Sequence, residues 1–171
     1  GYIEGAVNVP VRSLAQNLNL LPTDPNTPII VYCAKGTRGA IAMTALQILG
    51  FTNVRNMSGG ITAWIDAGLP VVTDEVTFEA GEAAAIDPAL VAAVDNYLTN
   101  VLPQGWGGVG ADDLALELVE NPPFLLDVRE DAEVAETGMI EGALHIPLRQ
   151  LGDNLDQRSE EHTSELQSRQ V

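Results

Sequence analysis

The sequence predicts an α/β fold with a parallel sheet, because short β-branched runs alternate with apolar stretches of helical length. Residues 29–32 are β-branched or aromatic, as expected of a buried strand. Residues 40–49 are largely apolar and contain no Gly or Pro, which favours a buried helix. Residues 50–57 supply a turn and a short strand, and residues 61–67 supply another helix. Strand and helix alternation of this kind is typical of parallel sheets.

The middle of the chain predicts two further helices. Residues 73–86 are acidic, alanine-rich and interrupted by glycine, so we expect a linker there. Asp87 followed by Pro88 is typical of a helix start, with Asp as the N-cap and Pro at the first helical position. The helix that follows has one apolar face, formed by Leu90, Val91, Val94 and Leu98.

A second short helix is expected to begin at Asp112 or Asp113 and to end before Asn121. Residues 124–129 then predict a buried strand, and residues 131–136 a helical turn. We interpret Trp106, in the glycine-rich stretch between the two helices, as an anchor for that loop.

Composition excludes several classes of function. The chain has 171 residues and a net charge of −16, so nucleic-acid phosphates would be repelled. No stretch of eighteen apolar residues predicts a membrane span, and we expect no membrane contact. A single cysteine rules out an internal disulfide framework and a two-cysteine redox cycle within this chain.

The first residues of the chain are repeated near its end. Residues 1–18 align with residues 138–155, and ten of the eighteen positions are identical. We therefore expect a piece of a tandem-repeat protein. Its predicted parts are the C-terminal portion of unit 1 at 1–72, a linker with inter-unit helices at 73–123, and the N-terminal portion of unit 2 at 124–157.

The chain from residue 158 onward carries no apolar periodicity. Residues 158–168 look like a sequencing adapter translated in frame, so we expect 158–171 to be disordered and without biological role. His162 is accordingly not a candidate ligand.

The sole cysteine, Cys33, stands where the predicted strand gives way to the predicted helix. A lone cysteine at a strand end is more often an inert core residue. Here, however, two cations and a glycine follow within five residues, in the run Cys33-Ala34-Lys35-Gly36-Thr37-Arg38. Backbone N–H groups, the helix N-terminus and the two cations would all stabilise a thiolate and attract an anion. The pattern predicts a nucleophilic thiolate in an anion cradle.

Three ordered motifs resemble the rhodanese-like sulfurtransferases. They are Gly-x-Ile-x-Gly-Ala-x-Asn-x-Pro from residue 1, Val-Tyr-Cys-x-x-Gly-x-Arg from residue 31, and Leu-Gly-Phe-x-Asn-Val-x-Asn-Met-x-Gly-Gly-Ile-x-Ala-Trp from residue 49. Leu-Leu-Asp-Val-Arg-Glu at 125–130 resembles the opening strand of the same domain. The resemblance implies a doubly wound parallel sheet flanked by helices, here with an inter-unit helical segment. It also implies a bacterial tandem-rhodanese parent, and the compartment stays open between cytoplasmic and extracytoplasmic.

The resemblance implies that Cys33 takes the outer sulfur of thiosulfate, or a similar small anionic donor, as a persulfide. Cyanide or another thiophilic acceptor would then remove it, without a cofactor or metal. N–H groups of Ala34 to Arg38 would hold the persulfide's charge, and Lys35 and Arg38 would bind the donor's sulfonate oxygens. Gly36 would permit the tight turn. Lys35 favours thiosulfate over mercaptopyruvate as the donor.

Two alternatives remain open. A phosphatase or arsenate reductase would carry five residues between Cys and Arg, whereas this loop carries four. A non-catalytic rhodanese-like module that carries or senses sulfur, or binds partners, would fit the same fold.

We also expect that residues 124–151 can replace the missing opening strand of unit 1, which would give one permuted domain.

Overall fold

The computed structural model describes residues 1–74 and 78–155. It divides the chain into two compact units, Gly1–Gly108 and Val109–Val171. The tail that we predict to be disordered, 158–171, lies outside the described residues.

Within its described residues, the first unit has two strands and three α-helices. In chain order they are β1 (Ile29–Val31), α1 (Thr37–Ile48), β2 (Val54–Asn56), α2 (Gly60–Asp66) and α3 (Pro88–Asn96). Three segments are 3-10 helical and one is π-helical: Val11–Gln16, Leu18–Leu20, Gln104–Gly107 and, directly after α3, Tyr97–Val101.

The strands β1 and β2 run parallel, with α1 forming the connection between them. Ile29 pairs with Val54, and Val31 pairs with Asn56. A helix that connects two parallel strands is the basic unit of α/β folds, so the predicted fold class is confirmed. Parallel strands bring their carboxyl ends to one edge of the sheet, and the chain after β1 leaves at that edge.

The core of the first unit draws on residues from both sides of the predicted linker. Leu46 and Phe51, from α1 and the turn after it, are almost completely buried. Val94, Leu98 and Leu102 are buried in the same cluster, and Leu98 has no exposed surface. The helix that we predicted as an inter-unit segment therefore packs into the first unit. Asp87 caps α3 as predicted, since its side chain accepts a hydrogen bond from the Ala89 N–H at 2.8 Å.

Two predicted elements of the first unit differ from the structure. The strand at 29–32 was expected to be buried, but Ile30 in its centre is 50% exposed. The predicted helix at 40–49 begins three residues earlier, at Thr37. Its first turn includes Gly39, which is a poor helix former, and a Cβ at that position would lie 2.1 Å from Asn56 Oδ1.

The second unit has the same alternation on a smaller scale. Its elements are α4 (Ala111–Glu120), β3 (Leu126–Asp127), α5 (Asp131–Thr137), β4 (Leu144–His145) and a 3-10 helix at Leu148–Asn154. The strands β3 and β4 are parallel, with Leu126 opposite Leu144. The predicted strand at 124–129 is thus shorter than expected, and Leu126 and Val128 are each 38% exposed rather than buried.

Both copies of the repeated motif adopt the same local structure. Gly5 and Gly142 have positive φ angles of 78° and 83°, which an L-residue rarely adopts. The residue after each donates its N–H to the third residue back, Ala6 to Ile3 and Ala143 to Ile140. A 3-10 helix follows the proline in each copy.

The strand ladders lie within the units, β1 with β2 and β3 with β4. The permuted domain, in which 124–151 would complete the sheet of β1, stays a prediction. Over residues 1–74 and 78–155, no helix has the length and apolar character needed to cross a membrane.

Candidate active site

Cys33 lies two residues beyond β1, where the chain turns into α1. Its thiol is partly exposed and accepts a hydrogen bond from the Gly36 N–H, with N···Sγ of 3.1 Å. Gly36 stands at the N-cap position of α1 with φ of 110°, and no side chain caps this helix. The unpaired N–H groups of the first helical turn are therefore directed at the sulfur instead of at a capping oxygen.

Opposing effects act on the pKa of the Cys33 thiol. Partial burial raises the pKa, because it disfavours the charged thiolate. Hydrogen bonds from the backbone N–H groups of Gly39, Gly36, Lys35 and Arg38 lower the pKa by more, so the net shift is downward. The loop consequently holds a larger fraction of thiolate at neutral pH than a free cysteine would.

The predicted donors, Ala34 to Arg38, correspond only in part to these groups. The Gly36 N–H donates to the sulfur, and the N–H groups of Lys35 and Arg38 also lower the thiol pKa, but so does that of Gly39, which lies outside the predicted set. Ala34 has a different role, because its carbonyl oxygen accepts hydrogen bonds from the Thr62 N–H at 3.1 Å and from Thr62 Oγ1 at 2.9 Å. Thr37, the first residue of α1, is exposed.

The N-terminus of α2 holds the other side of the loop. The Ile61 N–H donates to the Cys33 carbonyl oxygen at 2.8 Å. This approach requires Gly60, since a Cβ there would lie 2.3 Å from the same carbonyl oxygen. The loop is thus fastened between two helix N-termini: α1 supplies donors to the sulfur, and α2 supplies donors to the loop carbonyls. The sequence indicated only the donors of α1.

Asn56, the last residue of β2, supports the loop from the sheet. Its Nδ2 donates to the Gly36 carbonyl oxygen at 3.2 Å. Its buried Oδ1 has no hydrogen-bond partner among the described residues and lies against Gly39. A Cβ on residue 39 would be 2.1 Å from that oxygen. The pairing of Gly39 with Asn56 across the sheet edge gave no signal in the sequence beyond the presence of Asn56 in one of the family motifs.

The two cations of the loop differ in their surroundings. Lys35 is exposed, and Arg38 is partly buried with its guanidinium carbon 5.5 Å from the centre of the Trp106 ring. Both lie in a chain whose net charge is strongly negative, so these local charges oppose the overall field.

Comparison with known proteins identifies the same segment. A model of the rhodanese-like domain matches residues 1–67. A sulfurtransferase of Allochromatium vinosum is 33% identical over 75 residues, which cover 44% of this chain and 68% of that protein. Thiosulfate sulfurtransferase 18 of Arabidopsis thaliana is 40% identical over 52 residues, covering 30% of this chain and 38% of that protein.

Among solved structures, a thiosulfate sulfurtransferase from Pseudomonas aeruginosa is 27% identical with a TM-score of 0.38, covering 91% of this chain and 30% of that one. Apart from the Allochromatium protein, the chain spans well under two thirds of the length of these relatives. The match to the Allochromatium protein over more than two thirds of its length, together with the domain match across the Cys33 loop, shows that this chain belongs to the rhodanese-like sulfurtransferase family.

Proposed function

We propose that Cys33 accepts a sulfane sulfur from thiosulfate or a similar donor and passes it, as a persulfide, to a thiophilic acceptor such as cyanide. The observation that carries this proposal is the hydrogen bond from the Gly36 N–H to a partly exposed thiol at the N-terminus of α1, where the backbone N–H groups of Gly39, Lys35 and Arg38 also lower the thiol pKa. Named relatives in the family include thiosulfate sulfurtransferases of Arabidopsis and Escherichia coli, which supports thiosulfate as the donor.

The first half-reaction is a displacement at sulfur. The Cys33 thiolate attacks the outer sulfur of thiosulfate, a new S–S bond forms, and the S–S bond of thiosulfate breaks. Sulfite leaves with the electron pair, and the negative charge stays on the terminal sulfur of the persulfide. The N–H groups that lower the thiol pKa are suited to hold that charge, because persulfide and thiolate are both anions at the same place.

The second half-reaction restores the thiolate. Cyanide attacks the terminal sulfur, the persulfide S–S bond breaks, and thiocyanate leaves while Cys33 recovers its electron pair and charge. We assign Lys35 and Arg38 to the sulfonate oxygens of the donor and to the departing sulfite, since they are the cations of this loop. Two half-reactions through one covalent intermediate predict ping-pong kinetics.

Mass spectrometry of the protein after thiosulfate treatment tests the proposal. We expect a gain of one sulfur atom on Cys33, release of sulfite, and loss of the added sulfur with production of thiocyanate when cyanide is supplied. Cys33→Ser should show none of these. A persulfide that forms but is not discharged by cyanide or thiols would replace the enzyme proposal with a sulfur carrier or sensor. Failure to gain sulfur, with hydrolysis of an aryl phosphate instead, would replace it with a phosphatase.

The pH dependence of alkylation provides a second test. Because the pKa of Cys33 is lowered in the folded protein, iodoacetamide should react with it at pH values where a free cysteine is mostly protonated. The rate should fall as pH decreases through the lowered pKa. In guanidinium chloride the midpoint should rise to about 8.5, the value of an unstructured cysteine. Identical midpoints in both states would contradict the arrangement of donors around the thiol.

A further inference from the structure

The guanidinium of Arg38 contacts the face of an aromatic ring. Its central carbon lies 5.5 Å from the centre of the Trp106 ring. Among residues 1–74 and 78–155, no carboxylate forms an ion pair with Arg38 and no oxygen accepts a hydrogen bond from its side chain. All five N–H groups of the Arg38 guanidinium are therefore available to bind a ligand. The backbone N–H of Arg38 is a separate donor, and it lowers the pKa of the Cys33 thiol.

Arg12 contacts the same ring but uses its donors differently. Its guanidinium carbon is 5.1 Å from the ring centre, and its nitrogens donate to the carbonyl oxygens of Leu98, Leu102 and Pro103 at 2.9 to 3.1 Å. Arg12 thereby ties the segment after α3 to the first unit, and that segment leads directly to Trp106. Arg12 thus positions the Trp106 ring, whereas the guanidinium of Arg38 makes no hydrogen bond among the described residues.

The backbone at Trp106 supports a specific role for the ring. Its φ of 66° is in the left-handed region, where it is the sole non-glycine residue among the described part of the chain. Gly105 and Gly107, on either side, also have positive φ angles. A bulky residue rarely adopts this conformation, and such strain persists where the surrounding structure imposes it. Here it accompanies contact between the indole ring and two guanidinium groups.

Contact with a ring face leaves the edge of a guanidinium free. The π-system attracts the positive charge, whereas the N–H bonds lie in the guanidinium plane and point away from its centre. A planar set of donors matches two oxygens of a sulfonate group, which can accept parallel hydrogen bonds.

We propose that Trp106 is a positioning residue that holds the Arg38 guanidinium as a receptor for the oxyanion group of the sulfur donor. This inference rests on the proposed function and narrows it, because it selects donors that carry an oxyanion beside the transferable sulfur, such as thiosulfate and organic thiosulfonates. Uncharged polysulfides gain nothing from this receptor.

Alkylation of Cys33 by two reagents of similar size tests the receptor without any sulfur transfer. Iodoacetate carries a carboxylate and iodoacetamide does not, so the ratio of their rates reports anion binding beside the thiol. Because Cys33 is the sole cysteine, the rates refer to one site. We expect Trp106→Ala to lower the iodoacetate-to-iodoacetamide ratio by roughly two- to fivefold, the range typical of an exposed cation–π contact.

Four further variants make the result specific. Arg38→Gln should lower the iodoacetate-to-iodoacetamide ratio at least as far as Trp106→Ala does. The double variant of Arg38→Gln and Trp106→Ala should have the same ratio as Arg38→Gln alone. Trp106→Phe should retain most of the ratio, since a phenyl ring still offers a π face. Trp64→Phe is the matched control, because the Trp64 indole N–H donates to the Pro70 carbonyl oxygen and no cation of the described residues lies over its ring. A wild-type ratio in Trp106→Ala, or equal losses in Trp106→Ala and Trp106→Phe, would overturn the proposal.

Steady-state kinetics then connect the receptor to catalysis. In Trp106→Ala, KM for thiosulfate should rise by a similar factor while kcat changes little, and Trp106→Phe should restore KM. An unchanged KM with a normal alkylation ratio would overturn the positioning role. Absence of turnover in the wild-type protein would refute the proposed function, yet the alkylation ratios would still decide whether Trp106 positions Arg38.

Discussion

At the scale of single residues, Gly39 combines a steric requirement with an electrostatic role in the candidate site. Its N–H lowers the pKa of the Cys33 thiol, and a Cβ on it would collide with the buried Oδ1 of Asn56. The helical pattern of the sequence reveals neither the effect of the Gly39 N–H on the thiol nor the close contact with Asn56. A residue with a side chain at this position would displace either Asn56 or the first turn of α1, and both of these position donors at the loop.

Gly39→Ala should therefore damage both stability and the thiol. The new Cβ would lie 2.1 Å from Asn56 Oδ1, and overpacking of this kind costs about 1–3 kcal/mol. The alkylation midpoint of Cys33 should also move to higher pH as the donor shifts. Gly81→Ala is the control, since the nearest atom to its Cβ is 3.8 Å away. Equal denaturation midpoints for the two variants would show that the contact with Asn56 is unimportant.

In the second unit, Asp127 and Arg129 form an ion pair. Arg129 Nη2 lies 2.5 Å from Asp127 Oδ2, and the Asp127 side chain is 12% exposed. The hydrogen bond from the Arg129 side chain is the main cause that lowers the pKa of Asp127 to about 2. A further side-chain contact joins Arg129 Nη2 to the Gly138 carbonyl oxygen at 2.8 Å, so the pair fastens β3 to the end of α5.

The pH dependence of this pair follows from the direction of the shift. A carboxyl with a depressed folded pKa stabilises the native state at pH values above its unfolded pKa of about 3.9. That contribution decreases below pH 3.9 and is gone once pH falls through about 2. Carboxyl chemical shifts in an NMR titration should give a midpoint near 2 for Asp127, and Arg129→Gln should return it toward 3.9. A wild-type midpoint near 3.9 would contradict the ion pair.

At the scale of elements, α3 and the π-helical turn after it depend on an arginine from the repeated motif. The carbonyl oxygens at the end of a helix lack partners within it. Arg12 supplies hydrogen bonds to three such oxygens, while Thr99 Oγ1 donates back to the Arg12 carbonyl oxygen at 3.2 Å. The element that was expected to link two units is thereby part of the unit that carries Cys33.

The repeat provides its own control for this contact. Arg149 occupies the position of Arg12 in the second copy of the motif and is exposed, and its side chain donates no hydrogen bond among the described residues. Arg12→Gln should lower the free energy of unfolding by about 1–3 kcal/mol, because carbonyl oxygens lose charged donors. Arg149→Gln should change it by less than about 0.5 kcal/mol. Chemical denaturation monitored by tryptophan fluorescence compares the two, and similar losses would contradict the assigned role of Arg12.

At the scale of the whole molecule, the hydrophobic core that supports the site extends to residue 102. The buried residues Leu46 and Phe51 share one cluster with Val94, Leu98 and Leu102. A boundary at residue 72, as composition suggested, would remove the last three of these from the core. In the structure the first compact unit extends from Gly1 to Gly108, and the boundary of the repeat unit at residue 72 stays a prediction.

Two truncated chains test this boundary. Residues 1–108 should unfold cooperatively and retain the alkylation profile of Cys33, because the core and all donors to the sulfur lie within them. Residues 1–72 should neither unfold cooperatively nor retain the alkylation profile, since they lack the apolar face of α3. Loss of folding in residues 1–108, with a folded full chain, would instead support the permuted domain in which residues 124–157 complete the first unit.

The sequence by itself determined the family, the parallel α/β class and the position of the cysteine loop between strand and helix. These follow from local signals: β-branched runs, helical apolar stretches, capping residues such as Asp87, and motifs of short span. It also marked Lys35 and Arg38 as the cations beside the thiol, because both lie within five residues of it.

Only the tertiary structure decided what surrounds those residues. The contact of Gly39 with Asn56, the hold of α2 on the loop carbonyls, and the face of Trp106 on Arg38 join positions that are 17, 28 and 68 residues apart in sequence. Such contacts depend on how elements pack, and packing is a property of the folded chain that no local pattern encodes. The same holds for the boundary at Gly108, which depends on where the apolar face of α3 becomes buried.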